Sequence, residues 1–189
     1  MKMKTYWQII ILLFMIFFNL TVFAQYNCTV DNRVPSNLKA VGRVVPATNA
    51  SQYQPGTAWI LPNGKLITAG HIIQSFEELG IVVEFNVPPS DPNTGAMMMA
   101  APEDRYYANM NSIQYHAGNP EEGKDWAVFE VNPNPITGML SLEAQQECIH
   151  IQNSIPNGIV KIYGYGEDVG PSQNYTQQVD FGDCLGAVL

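Results

Sequence analysis

Two residues in this sequence are suited to proton transfer, a histidine and an aspartate that stand 54 residues apart. His71 follows the small residues Ala69 and Gly70, and Asp125 precedes the apolar run from Trp126 to Val131. An imidazole accepts a proton on one ring nitrogen when a carboxylate holds the other nitrogen as a hydrogen-bond donor. The two residues therefore predict a general base, His71, that Asp125 orients toward a nucleophile.

The residues before His71 predict a β-hairpin. Trp59 to Leu61 and Leu66 to Thr68 are short runs of strand-forming residues, and Asn63-Gly64 between them is a dipeptide typical of tight turns. Ile72 to Leu79 then has the composition of a short helical turn. The hairpin would hold His71 in a fixed place at the end of a strand.

Asp125 is positioned by the strand that it begins. We expect Trp126, Val128 and Val131 to hold this strand in the core, which leaves the carboxylate at the strand's start. Structural roles stay open for both residues. His71 could be a packed, hydrogen-bonded histidine at a strand end, and Asp125 could only cap a turn.

Other segments complete the prediction of a β-rich chain. Further strands are predicted at Val41 to Val45, Gly80 to Asn86 and Ile159 to Gly166. The proline-rich segment from Val87 to Gly95 is predicted to be a surface loop, and Ala96 to Ala100 is either a strand or a core segment. The candidates for inward-facing residues in the next segment are Met110, Ile113 and Tyr115.

The N-terminal residues have the composition of a secretory signal peptide. Lys2 and Lys4 precede the apolar run from Ile9 to Phe18, and Ala24 offers a cleavage point. An uncleaved membrane anchor is the alternative, although the run is shorter than the roughly 20 residues that a spanning helix needs. We therefore expect a secreted or periplasmic protein that has no membrane association once residues 1–24 are removed.

Charge and cysteine content limit the classes of partner. The net charge is −8, and loss of Lys2 and Lys4 makes it −10, which disfavours nucleic acid as a partner. The cysteines Cys28, Cys148 and Cys184 are odd in number, so at least one is unpaired or has its partner elsewhere. The three histidines lack the spacing of zinc ligands, and we expect no metal or cofactor. The sequence leaves the oligomeric state undetermined.

Three segments resemble motifs of the trypsin/chymotrypsin-like serine peptidases. Thr68-Ala69-Gly70-His71, preceded by Gly56-Thr57-Ala58-Trp59-Ile60, is similar to the family's catalytic histidine segment. Asp125-Trp126-Ala127-Val128-Phe129-Glu130-Val131 is similar to its aspartate motif, Asp-x-Ala-x-x-x-(Val/Leu). Gly164-Tyr165-Gly166 is similar to the end of an early strand in the family's second barrel. The resemblance covers most of the chain that follows the signal peptide.

This resemblance implies an all-β, trypsin-like fold of two six-stranded antiparallel barrels with the catalytic site between them. The implied domains are a signal peptide at 1–24, an N-terminal segment at 25–46, a complete first barrel at 47–135 and a partial second barrel at 136–189. It also implies a secreted serine endopeptidase that cleaves protein or peptide substrates without a cofactor. His71 and Asp125 would then belong to a His-Asp-Ser triad.

The nucleophile of such a triad has no clear counterpart in the sequence. The serines after Asp125 are Ser141, Ser154 and Ser172, and none has the Gly-x-Ser-Gly setting of the family. Gly182-Asp183-Cys184-Leu185-Gly186 resembles that motif with cysteine in place of serine, but Leu185 replaces its second glycine. An unpaired or disulfide-bonded Cys184 is therefore favoured. We expect a chain truncated before the serine segment, with no proteolytic activity alone.

Two alternatives remain from other classes. A noncatalytic secreted binding or adhesion protein that retains the peptidase fold would keep His71 and Asp125 without the serine. An unrelated β-sandwich gives no reason for these two residues to lie at strand ends. The coding sequence beyond Leu189 separates the first alternative from a truncated enzyme, because the enzyme predicts a Gly-x-Ser-Gly segment there.

Overall fold

The computed structural model describes residues 33–153, 159–167 and 174–183. The predicted signal peptide, Cys28, Ser154, Ser172 and Cys184 lie outside these residues. The described elements are β1 (Val34–Pro35), β2 (Val41–Pro46), β3 (Gly56–Ile60), β4 (Leu66–Thr68), α1 (Gly70–Phe76), β5 (Ile81–Glu84), β6 (Arg105–Tyr107), β7 (Gln114–Ala117), β8 (Asp125–Phe129), α2 (Ser141–Gln145), β9 (Ile159–Gly164) and β10 (Gln178–Asp183).

The larger sheet closes into a barrel. Its strand order is β6-β5-β2-β3-β4-β8-β7, and all its pairs are antiparallel. The residues that follow β6 and β8 join the two ends: Asn109 N donates to Glu130 O and Asn132 N donates to Tyr107 O, both at 2.8 Å. Six strands, β2 to β6 and β8, therefore surround one core, and β7 pairs with β8 from Asp125 to Val128.

The core follows from the alternation of side chains along the strands. In β3 the residues Gly56, Ala58 and Ile60 are buried, and in β4 Leu66 and Thr68 are buried. The inward-facing residues, together with Ile73 and Phe76 from α1, form one apolar cluster. This cluster fixes β3, β4 and α1 relative to one another.

The hairpin between β3 and β4 is confirmed, but its connection is longer than the predicted Asn-Gly turn. Leu61 N donates to Lys65 O at 2.8 Å, which leaves three residues in the loop. Only Gly64 among them has a positive φ, at 79°. A turn followed by one left-handed glycine is a common three-residue hairpin connection.

In β8 the structure reverses part of the predicted facing. Ala127, Phe129 and Val131 are buried, whereas Val128 is half-buried and the Trp126 residue is 42% exposed. The reason is the ladder with β4, which sets Ala127 opposite the buried Thr68 and so turns Trp126 outward. Of the nearby candidates for inward-facing residues, Ile113 packs against the core, but Met110 and Tyr115 are exposed. Residues 96–100 form no strand, and Met98 and Met99 are exposed rather than packed in the core.

A smaller sheet of three antiparallel strands has the order β1-β10-β9. Ile159 and Ile162 of β9 are exposed, and the outer edge of β9 pairs with no strand of the described part of the chain. The sheet meets the barrel where Tyr165 N donates to Thr57 Oγ1 at 3.2 Å. These three strands are the described portion of the second barrel.

The barrel extends beyond the predicted boundaries of 47 and 135. Strand β2, which begins at Val41, lies between β3 and β5 in the closed sheet. After residue 135, Leu142 and Cys148 pack against the barrel's core, and Ile149 N donates to Ile60 O at 2.8 Å. The connecting segment between the barrels is therefore part of the first barrel's packing.

Candidate active site

His71 is the second residue of α1, at the point where β4 ends and the chain turns. Ala69 has an extended conformation (φ −75°, ψ 142°) and precedes the helix. A side chain at Gly70 would lie 2.2 Å from the carbonyl oxygen of His116, so only glycine allows β7 to approach this closely. His71 therefore extends from a tightly packed turn, and its side chain is 60% exposed.

Asp125 binds His71 twice. Its Oδ2 lies 2.6 Å from His71 Nδ1, and its Oδ1 accepts the backbone N–H of His71 at 2.8 Å. The aspartate side chain is only 8% exposed. The hydrogen bond from the imidazole, aided by the backbone N–H, holds the pKa of Asp125 below its usual 3.8, although partial burial opposes this effect.

The arrangement defines which ring nitrogen of His71 is available. An ionised carboxylate only accepts hydrogen bonds, so Nδ1 carries the proton that is shared with Asp125. In the neutral ring, Nε2 is then the unprotonated nitrogen and can accept a proton from another group. The geometry is suited to general-base chemistry, and the backbone contact means that Asp125 also caps the first turn of α1.

His116 is a residue near the site that sequence reasoning missed. Its Nδ1 lies 2.7 Å from the carbonyl oxygen of Lys124, which also accepts the N–H of Gly118 at 2.8 Å. This carbonyl directly precedes Asp125, so the contacts fix the start of β8. The available signal was hairpin register, because His116 pairs with Trp126 across β7 and β8.

An open cleft of about 480 Å³ adjoins the histidine and aspartate. His71 and Asp125 line it together with apolar side chains of the hairpin, of α1 and of β8. The main apolar lining residues are Trp59, Ile67, Ile72 and Trp126. Sequence reasoning assigned Trp126 to the core and therefore did not find this surface.

Of the candidate nucleophiles, only Ser141 belongs to the described part of the chain, and it does not line the cleft. Ser141 is fully buried in α2, and its Oγ has no hydrogen-bond partner among the described residues. Ser154, Ser172 and Cys184 lie outside those residues. The described lining of the cleft includes neither serine nor cysteine.

Residues 33–153, 159–167 and 174–183 contain neither a metal site nor a membrane-spanning helix. No group of three histidine, cysteine, aspartate or glutamate side chains there is arranged to bind a metal ion. In the same ranges, no helix has the length and apolar composition to cross a membrane. Cys148 Sγ lies 3.9 Å from His150 Nε2, at the limit of a sulfur hydrogen bond.

Comparisons with known proteins concern the fold. No protein-family model and no curated protein matches the chain. The chain is similar to the solved structure of AL20, a thermostable serine protease from an extremophilic microorganism, with a TM-score of 0.55 and 17% identity; the match covers 79% of this chain and 67% of that one. It is also similar to the protease Anisep from Arthrobacter nicotinovorans, with a TM-score of 0.55, 16% identity and coverage of 80% and 67%.

These similarities agree with the architecture described above. A closed six-stranded barrel is joined to a three-stranded portion of a second barrel. At 16–17% identity, the similarity establishes the fold alone. The predicted fold class is thus confirmed: the chain has the mostly β, trypsin-like double-barrel fold of serine proteases, and the described residues contain the closed first barrel and three strands of the second.

Proposed function

We propose that the protein is a secreted serine-type endopeptidase in which His71 is the general base and Asp125 its orienting partner. The observation that carries the proposal is the 2.6 Å contact between His71 Nδ1 and Asp125 Oδ2, on a chain with a serine-protease fold. Its substrates would be proteins or peptides, and the chemistry requires no cofactor. The net charge of −8 also makes nucleic acid an unfavourable partner.

The proposed reaction uses the free nitrogen of His71. Nε2 takes the proton of a serine hydroxyl as the serine oxygen attacks the peptide carbonyl, and the protonated ring later gives that proton to the leaving amine. Asp125 holds the ring and stabilises its positive charge during both steps. The serine would belong to a Gly-x-Ser-Gly segment, which this sequence does not contain.

The chain alone is therefore proposed to lack steady peptidase activity. The experiment compares the purified chain with its His71→Ala variant on fluorogenic peptide and ester substrates. Equal background rates are expected for both proteins. Hydrolysis that His71→Ala abolishes would show that the proposed inactivity of this chain is wrong.

Reading the coding sequence beyond Leu189 tests the peptidase role itself. If a Gly-x-Ser-Gly segment follows, the extended protein should cleave peptides, and Asp125→Asn should lower kcat on the order of ten-thousandfold, the loss seen in such triads. Activity of the extended protein that survives His71→Ala would contradict the proposal.

A noncatalytic secreted binding protein is the second candidate function. The observation that favours it is the absence of serine and cysteine from the described lining of the cleft. This candidate predicts that the sequence beyond Leu189 still lacks Gly-x-Ser-Gly. Both candidate functions include the proposed export. Determining whether the exported protein begins at Gln25 tests it.

A further inference from the structure

We propose that the cleft beside His71 binds a bulky apolar side chain of the peptide substrate, aromatic or leucine-like, and that Trp59 and Trp126 determine this preference. We call it the tryptophan cleft, defined by Trp59, Ile67, Ile72 and Trp126. The inference rests on the proposed function, because it assigns the cleft to the substrate of the His71 site.

Strand register places the two indoles on one outer surface of the barrel. Trp59 pairs with Ile67 across β3 and β4, and Ile67 pairs with Val128 across β4 and β8. Trp126 precedes Val128 by two residues and so lies on the same face of β8. The residues between them along the strands face the core, as the burial of Ala58, Leu66 and Ala127 shows.

The tryptophan cleft is lined by apolar side chains that are not fully buried in the core. Trp126 is 42% exposed, and Trp59, Ile67 and Ile72 are half-buried, so much apolar surface borders solvent. Covering such surface is favourable by roughly 25 cal/mol per Å². A chain with this much aromatic surface next to a candidate catalytic residue has the features of a ligand site rather than of an ordinary barrel exterior.

The size and charge of the cleft define which side chains it can bind. Its volume of about 480 Å³ lies within the range of known ligand sites. Its described lining contains no lysine or arginine to pair with an acidic side chain. Asp125, its only acidic lining residue, is already bound to His71. An uncharged aromatic or branched aliphatic side chain is therefore the best match.

The cleft lies beside His71, and this position links it to the proposed reaction. The imidazole and Trp126 line the same cavity, so a side chain bound there lies beside the ring that would take the serine's proton. Binding would help to position the peptide for attack and would shield the imidazole from water. Trp59 and Trp126 are thus proposed as specificity residues, distinct from the proton-transferring pair.

Tryptophan fluorescence tests this binding without any need for hydrolysis. The chain has three tryptophans, and Trp59 and Trp126 line the cleft, so in the full chain carrying Trp7→Phe all tryptophan emission comes from these two. The probes are N-acetyl-phenylalaninamide and N-acetyl-leucinamide, with N-acetyl-glycinamide and N-acetyl-aspartamide as controls. The two apolar probes should give a saturable change in emission, and the two controls should give none at the same concentrations.

Substitutions identify the site of binding. In the Trp7→Phe chain, Trp126→Ala should lower the affinity for the apolar probes about tenfold, consistent with the loss of one aromatic contact. Trp126→Phe should retain most of the affinity because an aromatic ring remains. Tyr107→Ala removes an equally exposed aromatic side chain that does not line the cleft, and it should leave binding unchanged.

The outcomes separate this inference from the proposed function. Saturable binding of the apolar probes supports the cleft even if no extended chain hydrolyses peptides, in which case only the peptidase proposal fails. Equal responses to all four probes, or binding that Trp126→Ala leaves unchanged, would overturn the cleft proposal even in an active peptidase. Probe-independent burial of the indoles that grows with protein concentration would assign the cleft to a second copy and overturn it as well.

Discussion

At the scale of single residues, Asp125 holds both the side chain and the backbone of His71. One oxygen binds the ring and the other binds the N–H at the first turn of α1. The orientation of the imidazole is thereby coupled to the start of the helix. Loss of the carboxylate should affect the stability of the fold as well as proton transfer.

The first prediction concerns this coupling in acid. The pKa of Asp125 is lower in the folded protein than its usual 3.8, so its stabilising effect is complete above that value and is lost as pH falls through the folded pKa. The difference in free energy of unfolding between wild type and Asp125→Asn should be constant near pH 5 and shrink below about pH 4. Urea unfolding at a series of pH values measures it, and a difference that grows in acid would contradict the prediction.

The second prediction concerns Gly70. A methyl group there would meet the His116 carbonyl oxygen at 2.2 Å and the Trp126 carbonyl oxygen at 2.9 Å, and both are backbone atoms that cannot rotate away. Gly70→Ala should destabilise the protein by about 1–3 kcal/mol, as overpacking does, although alanine favours helices. It should also weaken the contact between His71 and Asp125, which is visible as a changed His71 ring proton resonance by NMR.

Gly166→Ala is the matched control for Gly70→Ala. Its new methyl group would meet Arg33 at 2.9 Å, at the end of a long side chain that can shift. We expect a change of less than about 0.5 kcal/mol, as for most surface substitutions. Equal destabilisation by the two alanines would show that backbone packing at Gly70 is not the cause.

At the scale of elements, a buried ion pair joins β2 to β5. Arg43 donates from Nε and Nη2 to Glu84 Oε2, and both side chains are almost completely buried. Glu84 Oε1 also lies 3.1 Å from Arg105 Nε in β6. One carboxylate thus contacts guanidinium groups from both neighbouring strands.

The third prediction follows from the burial of this pair. Glu84→Gln leaves the Arg43 charge buried without a counterion and should cost about 3–5 kcal/mol of stability, whereas an Arg43→Met, Glu84→Leu double variant should lose less. Glu130→Gln is the control, because its pair with Lys65 is exposed and should contribute less than about 1 kcal/mol. Chemical unfolding measures all three, and equal losses in both glutamine variants would refute the prediction.

Sequence reasoning succeeded where an element is fixed by local residues. The hairpin before His71, the strand at 81–84 and the strand that ends in Gly164-Tyr165-Gly166 each have a clear local pattern, and the structure contains all three. Sequence reasoning failed where the structure depends on how the strands pair. The inward face of β8 depends on its register with β4, and the three-residue turn depends on a single left-handed glycine, neither of which composition reveals.

The same distinction holds for the candidate site. The segments around His71 and Asp125 predicted that the two residues would meet, and the structure brings their side chains together. Their catalytic role stays a prediction. His116 and the outward indole of Trp126 were missed because both depend on strand pairing. The place of His116 depends on the pairing of β7 with β8, and the facing of Trp126 depends on the register of β8 with β4.

At the scale of the whole molecule, a buried hydrogen-bond network joins the two barrels. The hydroxyl of Tyr165 donates to Val41 O at 3.1 Å, and Gln177 Nε2 donates to the same hydroxyl and to Leu38 O. Leu38 N in turn donates to Gln177 Oε1. Residues near β9 and β10 are therefore held against the start of β2.

The fourth prediction uses the buried Tyr165. Burial raises its pKa to about 12 from the usual 10.0, because the ionised phenolate would be desolvated. A raised pKa contributes stability that is complete below pH 10 and is lost as pH rises toward 12. Wild type should thus lose more stability than Tyr165→Phe between these values, as measured by urea unfolding. Parallel pH curves for the two proteins would contradict this.

The open edge of β9 has a consequence for how the protein behaves in concentrated solution. The outer edge of β9 pairs with no strand among the described residues and carries the exposed Ile159 and Ile162, so it can hydrogen-bond to the same edge in another molecule and template aggregates. Light scattering should therefore rise with concentration, and Ile162→Lys should suppress the rise because a charged edge resists stacking of one molecule on the next. Long storage and crystallisation of the chain would then depend on the outer edge of β9 more than on the candidate pair His71 and Asp125.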